Sequence, residues 1–308
     1  MARADRELFE RMVDALNAVH GRHEGRRAVH VHGTCARGEF TATPDAARLT
    51  RAPHMQGAPV PVTVRFSNGT GDPSAPDRRR DGRGIAVKFH LPNGKETDMV
   101  GISLPVFFVR TPEDFLELQA ALTPDPATGA PDPQRVMPFV QAHPESLPAL
   151  QYVMQLQPAE SYARQIYRGL HAFRYVGADG GARFVRYRWE PEAGEASIPE
   201  DAARALPDRY LRAELFARLG DGPVAFRLRV QIARDEDPTT DPTAAWPSDR
   251  EDVEIGRLVL REPVDDCDAM LFDPMMLVDG IEASDDPILR ARSGAYGVSF
   301  KRRRAPVA

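Results

Sequence analysis

Cysteine is scarce: Cys35 and Cys267 are the two present in 308 residues. That is too few for a disulfide framework or a four-thiolate metal site and suits a reducing compartment, so the cytoplasm is the expected location. Neither thiol has an evident task beyond that of a small buried side chain. The chain also lacks a long apolar run. Its first residues, MARADRELFERMVDALNAVHG, break the apolar pattern with charges, so neither a secretory leader nor a membrane span is expected. Basic excess is missing too: 40 Lys+Arg against 45 Asp+Glu leaves a net charge of −5, which argues against nucleic acid as a partner. There is no HExxH, CxxC, GxSxG or P-loop, which leaves conventional zinc, nucleophile-elbow and nucleotide chemistry without support. GTGDPS and DGRG lie in strand-connecting loops without the helix that a phosphate cradle needs. Proline, in contrast, is plentiful at 28 residues beside 42% hydrophobic residues, which reads as proline-rich loops on a packed frame.

Leu8, Phe9, Met12, Val13, Leu16 and Val19 follow helical spacing, so residues 1–24 read as a helical arm ahead of a domain spanning 25–308. From Ala28 to Thr43 the residues become β-branched and aromatic and read as strand, kink, strand. Strands follow at Val60–Ser67 and Gly84–His90, with turn chemistry at Asn68-Gly69 and Asn93-Gly94. The sequence TPED at Thr111 opens a capped helix, and a second helical stretch lies around PFVQAHPESLPALQYVMQL. HAFRYVGADGGARFVRYRWE reads as a hairpin, DRYLRAELFARLGDG as a helix closed by glycine, and VAFRLRVQIA as a cleanly alternating strand. A strand near IGRLVL and a helix from about Asp285 to Tyr296 complete the chain. About eight mostly antiparallel strands with inserted helices give an α+β chain built on a closed or nearly closed β-barrel.

Within this pattern FDPMMLVDGIEASDDPILRARSGAY resembles, without a gap, the haem-ligand segment of the haem catalases. The shared positions are Phe272-Asp273-Pro274, Gly280 to Ser284, Asp286, Leu289, Arg292 and Tyr296. RAVHVHG is similar to the strand that brings that family's distal histidine, matching Arg27, Val29 and His30. VRFSNGTG matches at Arg65 and Ser67, and DGRGIAVKFH resembles the strand that follows. DMVGISLPVFFVRTPEDF matches at Pro105, Phe107, Phe108, Arg110 and Phe115. The resemblance covers roughly residues 25 to 303.

It implies an eight-stranded catalase-like barrel and a haem cofactor of the b type. Tyr296 would be the axial iron ligand and Arg292, one turn earlier, would reach its oxygen. His30 would be the catalytic acid and base, with Ser67 holding its ring, and Phe115 would stack near the haem plane. Arg27, Arg65 and Arg303 would pair with the propionates. Pattern alone does not choose His30 over His32, which share one face of an ideal strand. Two departures stand out. Ile102 falls where the family has a distal asparagine, so oxidation of a second peroxide should suffer. The chain ends shortly after Tyr296, which puts the family's wrapping segment and nucleotide-binding surface in doubt and opens the haem edge. Both departures imply the short, catalase-related peroxidase branch. It would use hydrogen peroxide or organic peroxides and small organic donors, with no membrane or nucleic-acid partner, as a homo-oligomer taken as a dimer. A true catalase and a barrel that only holds haem are the alternatives.

Overall fold

The computed structural model describes residues 3–92 and 94–305. Helix α1 (Arg3–His20) is followed by β1 (Gly33–Ala42), α2 (Pro44–Leu49), β2 (Val60–Asn68), β3 (Arg83–His90) and β4 (Glu96–Ile102). Three helices come next, α3 (Pro112–Leu122), α4 (Pro133–Ala142) and α5 (Leu147–Gln155), then strands β5 (Tyr167–Arg168), β6 (Phe173–Val176) and β7 (Ala182–Pro191). The remainder is α6 (Glu200–Arg204), α7 (Tyr210–Asp221), β8 (Val224–Ile232), β9 (Asp252–Val264), β10 (Ile281–Ala283) and α8 (Pro287–Arg304).

The expected barrel is present and closed. Strands pair in the ring β7-β5-β4-β3-β2-β1-β9-β8, and β7 pairs with β8 to shut it, which makes eight strands; β6 and β10 extend the sheet beyond β7. Closure leaves none of the eight as a free edge along its whole length. Alternation fills the interior: Val62, Val64 and Phe66 of β2 and Val87 and Phe89 of β3 belong to one buried cluster with Trp189, Phe226 and Leu228. Phe40 stands edge-on to Phe89 at 5.3 Å and to Trp189 at 6.0 Å, the arrangement that ring quadrupoles favour.

The other face of β2, β3 and β4 is covered by helices instead of water. Helix α8 packs against α1 and α3 and buries Ile288, Leu289, Ala291 and Ala295. At the start of α3 Thr111 forms the expected capping box with Asp114. The single helical stretch expected near residue 150 is two helices, α4 and α5, because Pro144 follows His143 and the chain must restart.

Several further expectations need correction. Residues 28–32 are not a strand: the amides of His30 and Val31 bond the carbonyls of Gly69 and Thr70 instead of a ladder, and His30 takes φ of +57°. His30 and His32 therefore share no strand face. Asn68 makes no tight turn. It is buried at the end of β2, donating to Asp77 Oδ1 at 2.7 Å and accepting from Tyr162 at 2.8 Å. Asn93 of the expected β3–β4 turn lies outside the described residues, and its neighbour Gly94 takes φ of +76°. Helix α8 runs on past Tyr296 to Arg304 and ends with a basic last turn, which suits the negative end of the helix dipole.

The cysteines are not idle. Cys35 and Cys267 are disulfide-bonded across a sequence separation of 232. Register explains it: Cys35 pairs with Val264 at the end of β9, so the chain leaving that strand passes the β1 cysteine within a few residues. The bond removes the ground on which the cysteine count pointed to a reducing compartment. Reduction is expected to cost about 2–4 kcal/mol of stability, read as a lower urea midpoint in dithiothreitol. An unchanged midpoint would contradict it.

Candidate active site

Register across the helix-covered face lays out the site. Ser67 of β2 stands opposite Gly84 of β3, which stands opposite Ile102 of β4 and then Arg168 of β5. One step along the strands, Cys35, Arg65, Ala86 and Val100 form the neighbouring row. Small residues in these rows clear a floor beneath the helices. A Cβ on Gly84 would stand 2.7 Å from Ser67 Oγ and 3.0 Å from His30 Nδ1, and one on Gly33 would overlap the Arg65 guanidinium. Above this floor lies a cavity of about 240 Å³ whose walls include His30, Ser67, Ile102, Phe115, Arg292 and Tyr296.

On the barrel side His30 Nδ1 lies 3.0 Å from Ser67 Oγ, the pairing expected. Its carbonyl accepts from Arg65 Nη2 at 2.9 Å. His30 and Leu170 are the two non-glycine residues with positive φ among those described, and both line the cavity. Backbone held in a sparsely populated region beside a cavity marks a site fixed by its surroundings. Burial, then the positive charges of Arg65, Arg292 and Arg27, push the His30 imidazole down to about 3, so it stays neutral at working pH.

On the helix side Arg292 Nη2 donates to the Tyr296 hydroxyl oxygen at 2.5 Å, the contact expected from their spacing. The contact continues. Arg292 Nη1 reaches His171 Nε2 at 2.9 Å, and His171 Nδ1 reaches Asp286 Oδ2 at 2.6 Å. A guanidinium only donates, so Nε2 accepts and the His171 proton sits on Nδ1, pointing at the carboxylate. Burial lowers the His171 pKa and keeps the ring neutral although Asp286 pulls the other way. Burial, the largest single influence, works against charge on Arg292, yet the Tyr296 oxygen together with Tyr187 and Asp286 outweighs it and holds Arg292 above its ordinary value. The other oxygen of Asp286 accepts from Ile288 N and Leu289 N, so one carboxylate caps α8 and orients the chain that ends at Tyr296. His171 and Asp286 were given no role from the sequence.

At the cavity's mouth Arg27 and Arg65 share a single carboxylate, and Arg303 stands beside them. Arg27 Nη1 pairs with Asp268, Arg65 Nη2 lies 3.4 Å from it, and Arg303 donates to the Met270 carbonyl at 2.9 Å. Burial and then the charge of Arg27 lower Arg65 to about 9 and Arg303 to about 10. Burial lowers Arg27 as well. Arg65 Nε and Arg168 Nη1 are buried without a hydrogen-bond partner. The set has more buried positive charge than Asp268 balances. Val29 and Phe115 line the cavity as expected, as does Phe107, whereas Phe108 packs beside Phe107 in the cluster behind it. Arg110 pairs with Asp241 at 2.9 Å, away from the cavity.

The family model described as catalase matches residues 11–306. A catalase-related peroxidase of Mycolicibacterium paratuberculosis is 43% identical over 300 residues, covering 96% of this chain and 94% of its own. A catalase-related peroxidase of Synechococcus elongatus is 37% identical over 298 residues, with 96% and 88% covered. Catalase isozyme 3 of Cucurbita pepo is 34% identical over 297 residues, and there the chain spans 60% of the relative's length. Among solved structures a bacterial catalase superposes with a TM-score of 0.82 at 26% identity, covering 91% of this chain and 58% of that one. A fungal catalase gives 0.83 at 24% identity, with 91% and 60% covered.

Proposed function

The chain belongs to the catalase family, and from that premise we propose that it is a haem-dependent peroxidase, reducing hydrogen peroxide or organic hydroperoxides with small organic electron donors. One observation carries the reading: a neutral His30 backed by Ser67 and a Tyr296 oxygen backed by Arg292 wall the same cavity. The residues fit a haem. Arg27, Arg65 and Arg303 have only the Asp268 carboxylate among the three of them, lying on Arg27 and Arg65, and a carboxylate is the kind of group a propionate offers. Both cysteines are bonded to each other, so no thiol is left to attach the macrocycle covalently, in keeping with the b type.

Haem, when bound, supplies an iron that takes up and returns the electrons of peroxide reduction. Tyr296 would hold it through the phenol oxygen, and Arg292 stabilises negative charge there. His30 moves the proton. With Nδ1–H donating to Ser67 Oγ, its Nε2 takes a proton from one peroxide oxygen and returns it to the other, making that oxygen a leaving group. Protonation at Nε2 would end this role, and it is held off to about 3. Peroxide reactivity (kcat/KM) is therefore expected to stay flat from pH 7.5 to pH 5, where an ordinary imidazole would lose its base near 6.5. A break near 6.5 would contradict the assignment of His30.

Ile102 directs the partition between donors. It places a hydrocarbon on the cavity wall where an amide would hydrogen-bond a second peroxide, so dye oxidation is expected to exceed oxygen evolution on haem-loaded protein. Ile102→Asn should raise the ratio of oxygen evolution to dye oxidation at least about tenfold. Oxygen evolution dominant in the wild type would instead make the chain a true catalase.

A further inference from the structure

A second groove, of about 250 Å³, lies between the loop after α1 and the last turns of α8. Arg27, Ala28, Ser299 and Arg303 wall both this groove and the haem cavity, so the two are neighbours across a shared partition. Its lining holds Arg22, Arg26, Arg27, Arg302 and Arg303 against one acidic residue, Glu24. The chain as a whole is net acidic, at −5, so this is a local concentration of positive charge. Arg302 is committed to Asp14 at 2.5 Å and Arg27 to Asp268. Arg22 and Arg26 are exposed and carry no ion pair among the described residues. A helix dipole accounts for cations in the last turn of α8. The negative end of α1, at His20, accounts in the same way for Arg22 but does not reach Arg26, six residues on in the loop across the groove. Val13 and Ala28 supply an apolar strip beside the guanidinium groups, whose flat faces stack on aromatic rings.

We propose that this groove docks the reducing substrate and selects small aromatic donors that carry a carboxylate or sulfonate, an inference that rests on the peroxidase reading of the adjoining cavity. The anionic group meets Arg22 and Arg26, and the ring lies toward the partition formed by Arg27 and Arg303. Two phenolic donors each give up one electron and one proton. The peroxide O–O bond breaks, accepts both electrons and both protons, and leaves as two waters. The donor never needs to enter the cavity that takes peroxide.

The test compares para-hydroxyphenylacetate with para-cresol, the same phenol with and without a carboxylate, on haem-loaded wild type, the Arg22→Glu/Arg26→Glu double variant and the charge-keeping Arg22→Lys/Arg26→Lys double variant. Charge reversal should raise KM for the anionic donor about tenfold, leave para-cresol within about twofold, and weaken calorimetric binding of para-hydroxyphenylacetate without peroxide by the same factor. The lysine variant should behave as wild type, and high salt should remove the wild-type preference. Equal changes for both donors, no change for either, or no measurable binding of the anion to wild type would overturn the proposal. Wild type that binds the anion but oxidises neither donor would instead refute the peroxidase reading and leave the groove standing as an anion site.

Discussion

Replacing His30 by alanine is expected to lower peroxide-dependent donor oxidation by about 10²–10⁴-fold, the range that a positioned acid and base contributes, while haem content stays at the wild-type level. The separation of the two readouts follows from position. His30 reaches the cavity from the segment before β1, whereas Tyr296 and Arg292 come from α8. Truncation leaves Ser67 Oγ without its partner at 3.0 Å, a minor loss because a hydroxyl can turn to water in the vacated space. Haem lost together with activity would show that His30 shapes the cavity and does not serve the reaction.

Tyr296→Phe should have the opposite profile. The ring and its packing remain, but the oxygen that Arg292 supports is gone, and haem affinity is expected to fall by more than the roughly 10–100-fold typical of losing an outer-shell partner. Fold is preserved, because Arg292 keeps its bond to His171 at 2.9 Å and the cap that Asp286 gives α8 is untouched. The cost is one unpaired donor on a buried guanidinium, about 1–3 kcal/mol. Titrating haem into the variant, with far-ultraviolet circular dichroism as the control on folding, measures it. Wild-type haem affinity in a folded Tyr296→Phe protein would refute the ligand assignment.

What could be read from the sequence was what lies close along the chain or repeats with a simple period. Arg292 and Tyr296 stand one helical turn apart, so their contact follows from helix geometry, and Val224 to Ile232 alternate as a strand must. The barrel followed from such strands together. The segment around His30 misled because alternating valine and histidine resembles a strand, whereas its amides bond loop carbonyls and its backbone turns left-handed. His171 was hidden for another reason. It stands at the head of a hairpin, and its partner Asp286 is 115 residues away, a pairing that register alone creates. The same holds for Cys35 and Cys267, and for Gly33, Gly84 and Ala86, whose smallness makes a cavity floor only once β1 to β4 are side by side. Asp268 became visible as the anion among the arginines only when the disulfide placed its loop.

Resonance Raman spectroscopy of the haem-loaded protein asks the central question most directly: which atom does the iron meet? Ring modes of a coordinated phenolate, present in wild type and absent in Tyr296→Phe, are the result predicted. Haem that binds wild type and Tyr296→Phe alike, with no phenolate modes in either, would contradict the account.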